Sequence, residues 1–148
     1  MSNLIKDLDK KIQPAANKAY KAMNNSTKLK NMGVEKIIIV ETKRELAVQM
    51  AYYSRSRMKD SKFVKAMYKA AGLYEPTENE CNTANTQTLD SVHLKGLAID
   101  FAPCKDGRTW WNAPLCVWEE MGKIGKKYGF EWGGDWKDWK DYPHFQKV

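Results

Sequence analysis

The chain has 148 residues, 43% hydrophobic and 29% charged, with a formal net charge of +7. This length suits one domain that buries about 68–70% of the surface its unfolded chain would expose, and the composition excludes wholesale disorder. No apolar run approaches the ~18 residues of a membrane span, and the opening MSNLIKDLDKKIQP lacks the charged-then-apolar order of a secretory signal. The expectation is a soluble protein made in the cytoplasm, without membrane insertion.

The N-terminal part is basic. Residues 1–60 hold 13 Lys/Arg and 6 Asp/Glu, while 61–148 hold 12 of each, so the whole excess lies before residue 61. Such asymmetry points to an anionic partner (nucleic acid, anionic lipid or cell-wall polymer) or to a solvated lysine-rich helix face. Leu4, Leu8 and Ile12, then Ala15, Ala16, Ala19, Tyr20 and Met23, recur at helical spacing, with Pro14 in the first turn of a second helix. The region closes at Gly33.

Lys36–Val40 (KIIIV) reads as a buried strand. Thr42 is placed to cap a helix from about Arg44 to Arg57 with Leu46, Met50 and Tyr53 on its apolar face. A further helix, about Lys62 to Ala71, groups Phe63, Val64, Met67 and Ala70 and stops at Gly72. Glu75 to Asp90 is polar and long for an inert connection, so it is expected to shape a site or move.

Leu97–Ala102 reads as a strand, Leu115–Tyr128 as a helix ending at Gly129, and Phe130–Trp132 and His144–Gln146 as short strands, the last opened by Pro143. Helices come first and strands cluster late, without βαβ alternation. This predicts an α+β fold with a small, mainly antiparallel sheet flanked by helices. Cys81, Cys104 and Cys116 are odd in number and form no C-x-x-C pair, which supports neither a disulfide framework nor a zinc ribbon.

Only two histidines are present, and each lies near an aspartate and glycine: Ser91-Val-His93-Leu-Lys-Gly96-Leu-Ala98-Ile-Asp100 and Trp132-Gly-Gly-Asp135-Trp-Lys-Asp-Trp-Lys-Asp141-Tyr-Pro-His144. Catalytic zinc commonly takes three His or Asp/Glu ligands and leaves a position for water. His93, Asp100 and His144 could supply that set. Residues seven apart on a straight strand face opposite ways, so His93 and Asp100 need a bend, which Gly96 would permit. Asp141 could place a carboxylate beside the water and move its proton. Asp135 and Asp138 are rival bases, although Asp135 beside two glycines suits a turn. Four of the six tryptophans fall between Trp118 and Trp139, in packing or as a sugar-stacking surface.

The run S-x-H-x-x-G-x-A-x-D at Ser91–Asp100 resembles the first zinc motif of the peptidoglycan peptidase family of D,D-carboxypeptidases and L-alanyl-D-glutamate endopeptidases. That family includes vancomycin-resistance D,D-peptidases and many phage endolysins. The closing E-W-G-G-D-W…D-x-P-H-F-Q (Glu131–Gln146) is similar to its second motif in the endopeptidase form. The resemblance implies His93, Asp100 and His144 as Zn2+ ligands, Asp141 as catalytic base, and a D-Ala-D-Ala-peptidase/hedgehog-like zinc fold. Thr42-Lys-Arg44, Gln49, Tyr53 and Arg57 match a third family pattern in spacing, with Lys43 and Glu45 departing from it. On that match Arg44 faces the site, to bind a substrate carboxylate or an oxyanion, and Ser91 contacts substrate or supports the bend. Without the resemblance, Arg44 would pair with Glu41 or Glu45.

The resemblance runs from about Val34 to the C-terminus; residues 58–90 match poorly and look like an insertion. The expected protein is a single, monomeric zinc peptidase domain, its basic helical part at 1–60 and its zinc motifs at 91–148. It would cut a peptidoglycan stem peptide, most simply as an endolysin-like L-alanyl-D-glutamate endopeptidase acting on the wall after release from the cytoplasm. No separate wall-binding domain fits in this length, and the basic part could bind anionic wall polymer. The alternatives are a D-alanyl-D-alanine carboxypeptidase or dipeptidase and, more distantly, a basic nucleic-acid-binding module. The favoured reading needs no nucleic acid.

Overall fold

The computed structural model describes all residues, 1–148. Its centre is an antiparallel sheet of five strands: β1 (Lys36–Glu41), β2 (Ala98–Lys105), β3 (Arg108–Thr109), β4 (Glu131–Trp132) and β5 (His144–Gln146). They run in the order β1-β2-β5-β4, with the short β3 hairpinned onto β2. The α+β expectation holds, with every strand pair antiparallel.

Two helices cover the main core. α1 (Gln13–Asn24) brings Ala16, Ala19 and Met23, and α6 (Leu115–Lys127) brings Val117, Trp118 and Met121, onto Ile37, Ile99, Phe101 and Phe145 of the sheet. Pro14 sits in the first turn of α1, where its missing N–H costs no hydrogen bond. The short α2 (Thr27–Asn31) is capped by the Ser26 hydroxyl, which accepts from the Leu29 amide. No helix is long and apolar enough to cross a membrane.

Ahead of α1, Leu4 to Ile12 forms only a 3₁₀ turn over Ile5–Asp7 instead of the helix its spacing suggests. Asp9 redirects the backbone: its carboxylate accepts from the Lys11 amide, and its own amide donates to the Gly96 carbonyl. Leu8 and Ile12 are still buried.

A second, smaller core joins α3 (Leu46–Ser54), α4 (Ser61–Ala70) and α5 (Glu78–Cys81) through Ala51, Val64, Tyr68 and Cys81. The sequence placed the buried stripe of α3 on the wrong side. Leu46 and Met50 are 59% and 44% exposed, while Val48, Gln49, Ala51 and Ser54 are buried. Gln49 can occupy that stripe because its amide is fully engaged, accepting from Arg44 and donating to the Thr88 carbonyl. Nor does Thr42 cap α3: its backbone amide bonds the Ser2 carbonyl, and the helix begins after Glu45. On α4 the buried residues are Val64 and Tyr68, with Phe63 exposed. The polar 75–90 segment contains α5, started by a capping box between Thr77 and Glu80.

Candidate metal centre

The β2–β5 register sets Asp100 directly opposite His144. His93 reaches them from a 3₁₀ turn over Val92–Lys95, not from a strand. Ser91 caps that turn by accepting from the His93 amide, and Gly96 ends it at φ +67°. This is the bend the motif required. A side chain at Gly96 would also press on the Asp9 backbone nitrogen, 2.9 Å from an added Cβ.

His93 Nε2, His144 Nδ1 and Asp100 Oδ1 form a triangle, each 3.2 Å from the other two. Tetrahedral ligands bound at 2.0–2.1 Å would lie about 3.3–3.4 Å apart, so the spacing matches a small divalent ion. Hydrogen-bond directions agree. His93 Nδ1 lies 2.7 Å from the Thr42 carbonyl, which can only accept, so that nitrogen carries the proton and Nε2 keeps a lone pair. Gln146 donates its amide nitrogen to Glu131 at 2.8 Å, leaving its oxygen, 3.1 Å away, to accept from His144 Nε2. His144 Nδ1 therefore also presents a lone pair. Both rings are held from behind as metal-binding histidines are.

These groups bias one another's charge. Burial pushes the Asp100 carboxyl up, but the two imidazoles outweigh it and hold Asp100 well below the usual carboxylate range. Burial pulls His144 down, and the hydrogen bond and charge of Asp100 more than offset it, leaving His144 raised.

Asp141 shares the cleft with the triangle, and its carboxyl is raised by burial and then by the charge of Asp100. Its backbone is clamped: the amide donates to the Gly133 carbonyl at 3.0 Å, and a Cβ on Gly133 would sit 2.3 Å from the Asp141 carbonyl oxygen. Of the rival bases, Asp135 is exposed and paired with Lys126 at 2.9 Å, and Asp138 is exposed and does not line the cleft.

The cleft encloses about 590 Å³. Arg44 lines it, but Glu41 neutralises its guanidinium through two hydrogen bonds and Gln49 accepts a third at 2.7 Å. Burial lowers the Arg44 pKa, and Glu41 more than compensates. Ser91 lines the cleft as well, its hydroxyl engaged in capping the His93 turn. Tyr53 and Arg57 lie outside the cleft, the guanidinium stacked on the ring. Trp118 and Trp132 are core residues, while Trp136 packs 5.1 Å from the His144 ring and Trp139 lines the rim, 42% exposed.

The sequence offered Thr42 only as a helix cap and a motif position, and Glu131 and Gln146 only as members of the motifs. A period-two signal was available for Gln146, since residues 144 and 146 of a strand share a face. Thr42 and Glu131 are linked to the histidines only through tertiary pairing.

Comparisons with known proteins agree with this geometry. The chain is 34% identical over 126 residues to the peptidoglycan L-alanyl-D-glutamate endopeptidase CwlK of Bacillus subtilis (strain 168), covering 80% of the chain and 64% of that relative. It is 36% identical over 84 residues to the L-alanyl-D-glutamate peptidase of Listeria phage A118, covering 54% of the chain and 29% of that relative. The chain thus spans less than two thirds of either relative. Among solved structures, the Serratia marcescens L-Ala D-Glu endopeptidase ChiX superposes with a TM-score of 0.59 at 20% identity, over 97% of this chain and 83% of that one. A variant of the vancomycin-resistance D,D-pentapeptidase VanY from a VanB-type cassette, solved with Zn(II), gives 0.55 at 19%, over 95% and 72%. These two likenesses establish a shared fold. The sequence model of the D-alanyl-D-alanine carboxypeptidase family matches residues 84–147. That matched segment carries His93, Asp100, Asp141 and His144.

Proposed function

We propose that this chain is a zinc-dependent peptidase of peptidoglycan that cuts the L-alanyl–D-glutamate bond of the stem peptide. The 3.2 Å triangle of His93, Asp100 and His144, with the Asp141 carboxyl in the same cleft, carries the reading. The choice of bond follows the two curated relatives, both named for that cleavage.

The three triangle residues would hold the ion, with Thr42 and Gln146 fixing the two rings. Bound zinc supplies a Lewis acid for the scissile carbonyl and lowers the pKa of the attacking water. Asp141 takes the proton from that water on its carboxylate and delivers it to the leaving nitrogen. Burial raises the Asp141 carboxyl, which strengthens it as the base in the first of these transfers. Glu41 balances the charge of Arg44, so Arg44 would act at the cleft wall through its remaining N–H groups, which alone can reach a substrate oxygen. Ser91 acts through the turn it caps.

The basic and zinc-motif parts would work as one monomeric catalytic domain, without nucleic acid, on a wall reached after release from the cytoplasm. Lysines of the N-terminal part would add affinity for anionic wall polymer, an attraction that salt weakens. The family match and the VanY likeness favour D-alanyl-D-alanine cleavage as the second reading.

Mass spectrometry of purified peptidoglycan after digestion decides between the two. New L-Ala carboxyl and D-Glu amino termini are expected; free D-Ala would establish the alternative, and an undigested wall would remove both.

A further inference from the structure

The cleft continues well beyond the metal triangle. Its far wall is built by α3, Tyr74 and residues 85–88. α3 starts near the triangle, because the Arg44 amide donates to the His93 carbonyl just ahead of it. Nine residues at 1.5 Å each carry the helix about 13 Å along the cleft to Arg55, which follows its last turn. Tyr52 stands between the ends, its ring 5.0 Å from the Arg44 guanidinium.

Two guanidinium groups line this cleft, and they differ in one respect. Arg44 is neutralised by Glu41. Arg55 has no carboxylate partner: its Nε donates to the main-chain carbonyls of Glu80, at 2.6 Å, and Thr83, at 3.0 Å. The nearby Glu80 carboxylate is occupied by the Tyr74 hydroxyl and the Thr77 amide. The Nε anchor fixes the plane of the guanidinium and leaves its two terminal nitrogens unpaired with acid. A guanidinium held in this way is preorganised for a carboxylate, since little side-chain freedom remains to be lost on binding.

We propose that Arg55 binds the distal carboxylate of the peptide substrate, the C-terminal carboxyl of the stem, at the end of the cleft remote from the scissile amide. An extended chain advances about 3.3 Å per residue, so the ~13 Å length of α3 corresponds to a carboxylate several residues away rather than one beside the cut. This subsite rests on the peptidase reading above and adds to it a determinant of substrate length and charge. It also assigns a role to the turn at Glu80–Thr83, which holds the guanidinium in place.

The test uses the full zinc-loaded chain and a stem tetrapeptide whose L-alanyl–D-glutamyl amide is N-methylated against cleavage. The peptide is made with a C-terminal carboxylate or carboxamide, and binding is measured by calorimetry. Wild type is expected to bind the acid about ten- to a hundredfold more tightly than the amide, as for a hydrogen bond to a charged group. R55Q should lose that ratio and R55K should retain part of it. The acid-to-amide comparison on the unaltered protein needs no variant to fold. Equal binding of acid and amide by wild type, an undiminished ratio in R55Q, or discrimination only at the D-Glu α-carboxyl would overturn the assignment. Cleavage of the unmethylated tetrapeptide is read in parallel: its absence sinks the peptidase reading, while cleavage with equal acid and amide binding sinks only the role of Arg55.

Discussion

Replacing Gln146 with leucine tests whether hydrogen-bond direction at the triangle sets its metal affinity. The Glu131 carboxylate can only accept, which turns the Gln146 amide nitrogen toward it and the Gln146 oxygen toward His144 Nε2. In Q146L that N–H loses its acceptor in a side chain only 5% exposed, at a cost of about 1–3 kcal/mol. The ring can avoid the cost by moving its proton to Nδ1, which lies 3.2 Å from Asp100 Oδ1. Zinc must then displace that proton, so metal binding carries the penalty by either route. The expected result is a zinc Kd weakened by about 5- to 150-fold, a span that brackets the roughly 10–100-fold typical of residues that support metal ligands. Competition against a chromophoric chelator measures it, with thermal unfolding of the metal-free variant as a check on the fold. The exchange pair E131Q/Q146E restores an acceptor beside His144 and a donor opposite it, and should recover most of the affinity. A folded Q146L that holds zinc as tightly as wild type would refute the reasoning.

Other outcomes follow from the same geometry. Asp141→Asn keeps the triangle intact and should bind zinc stoichiometrically while losing about 10²–10⁴-fold in turnover; a smaller loss in single-turnover digestion would move the base elsewhere. Gly133→Ala forces a Cβ onto the Asp141 carbonyl, so it should destabilise the fold by about 1–3 kcal/mol and lower kcat with zinc retained, as followed by denaturant titration beside kinetics. In the metal-free protein His144 is raised, so its contribution to stability is full below the ordinary histidine range and is lost as pH climbs through the raised value. Zinc needs the deprotonated ring, so the gain in Tm on adding zinc should grow with pH over that same interval; a gain independent of pH would count against His144 as a ligand.

Several features were legible in the amino-acid order. The β-branched KIIIV run became β1, and the late cluster of short apolar segments became an antiparallel sheet, because short runs of strand-forming side chains are a local property. The two histidine segments named all three triangle residues, and the need for a bend at Gly96 followed from strand geometry alone.

Tertiary structure decided the rest. His93 and His144 lie 51 residues apart in sequence, and only the β2–β5 register and the capped turn before Gly96 bring their rings within 3.2 Å. Periodicity put Leu46 and Met50 inside because it cannot tell a surface glutamine from Gln49, whose buried amide is satisfied by residues 37 to 39 positions away. The family resemblance aimed Arg44 at substrate and local spacing offered Glu41 or Glu45 as its partner; folding chose Glu41, and only folding brings the turn at 80–83 under Arg55. Residue types and local spacing set which chemistry the chain can perform. The direction of each hydrogen bond, and the partner of each charge, depends on chain segments that meet only after folding.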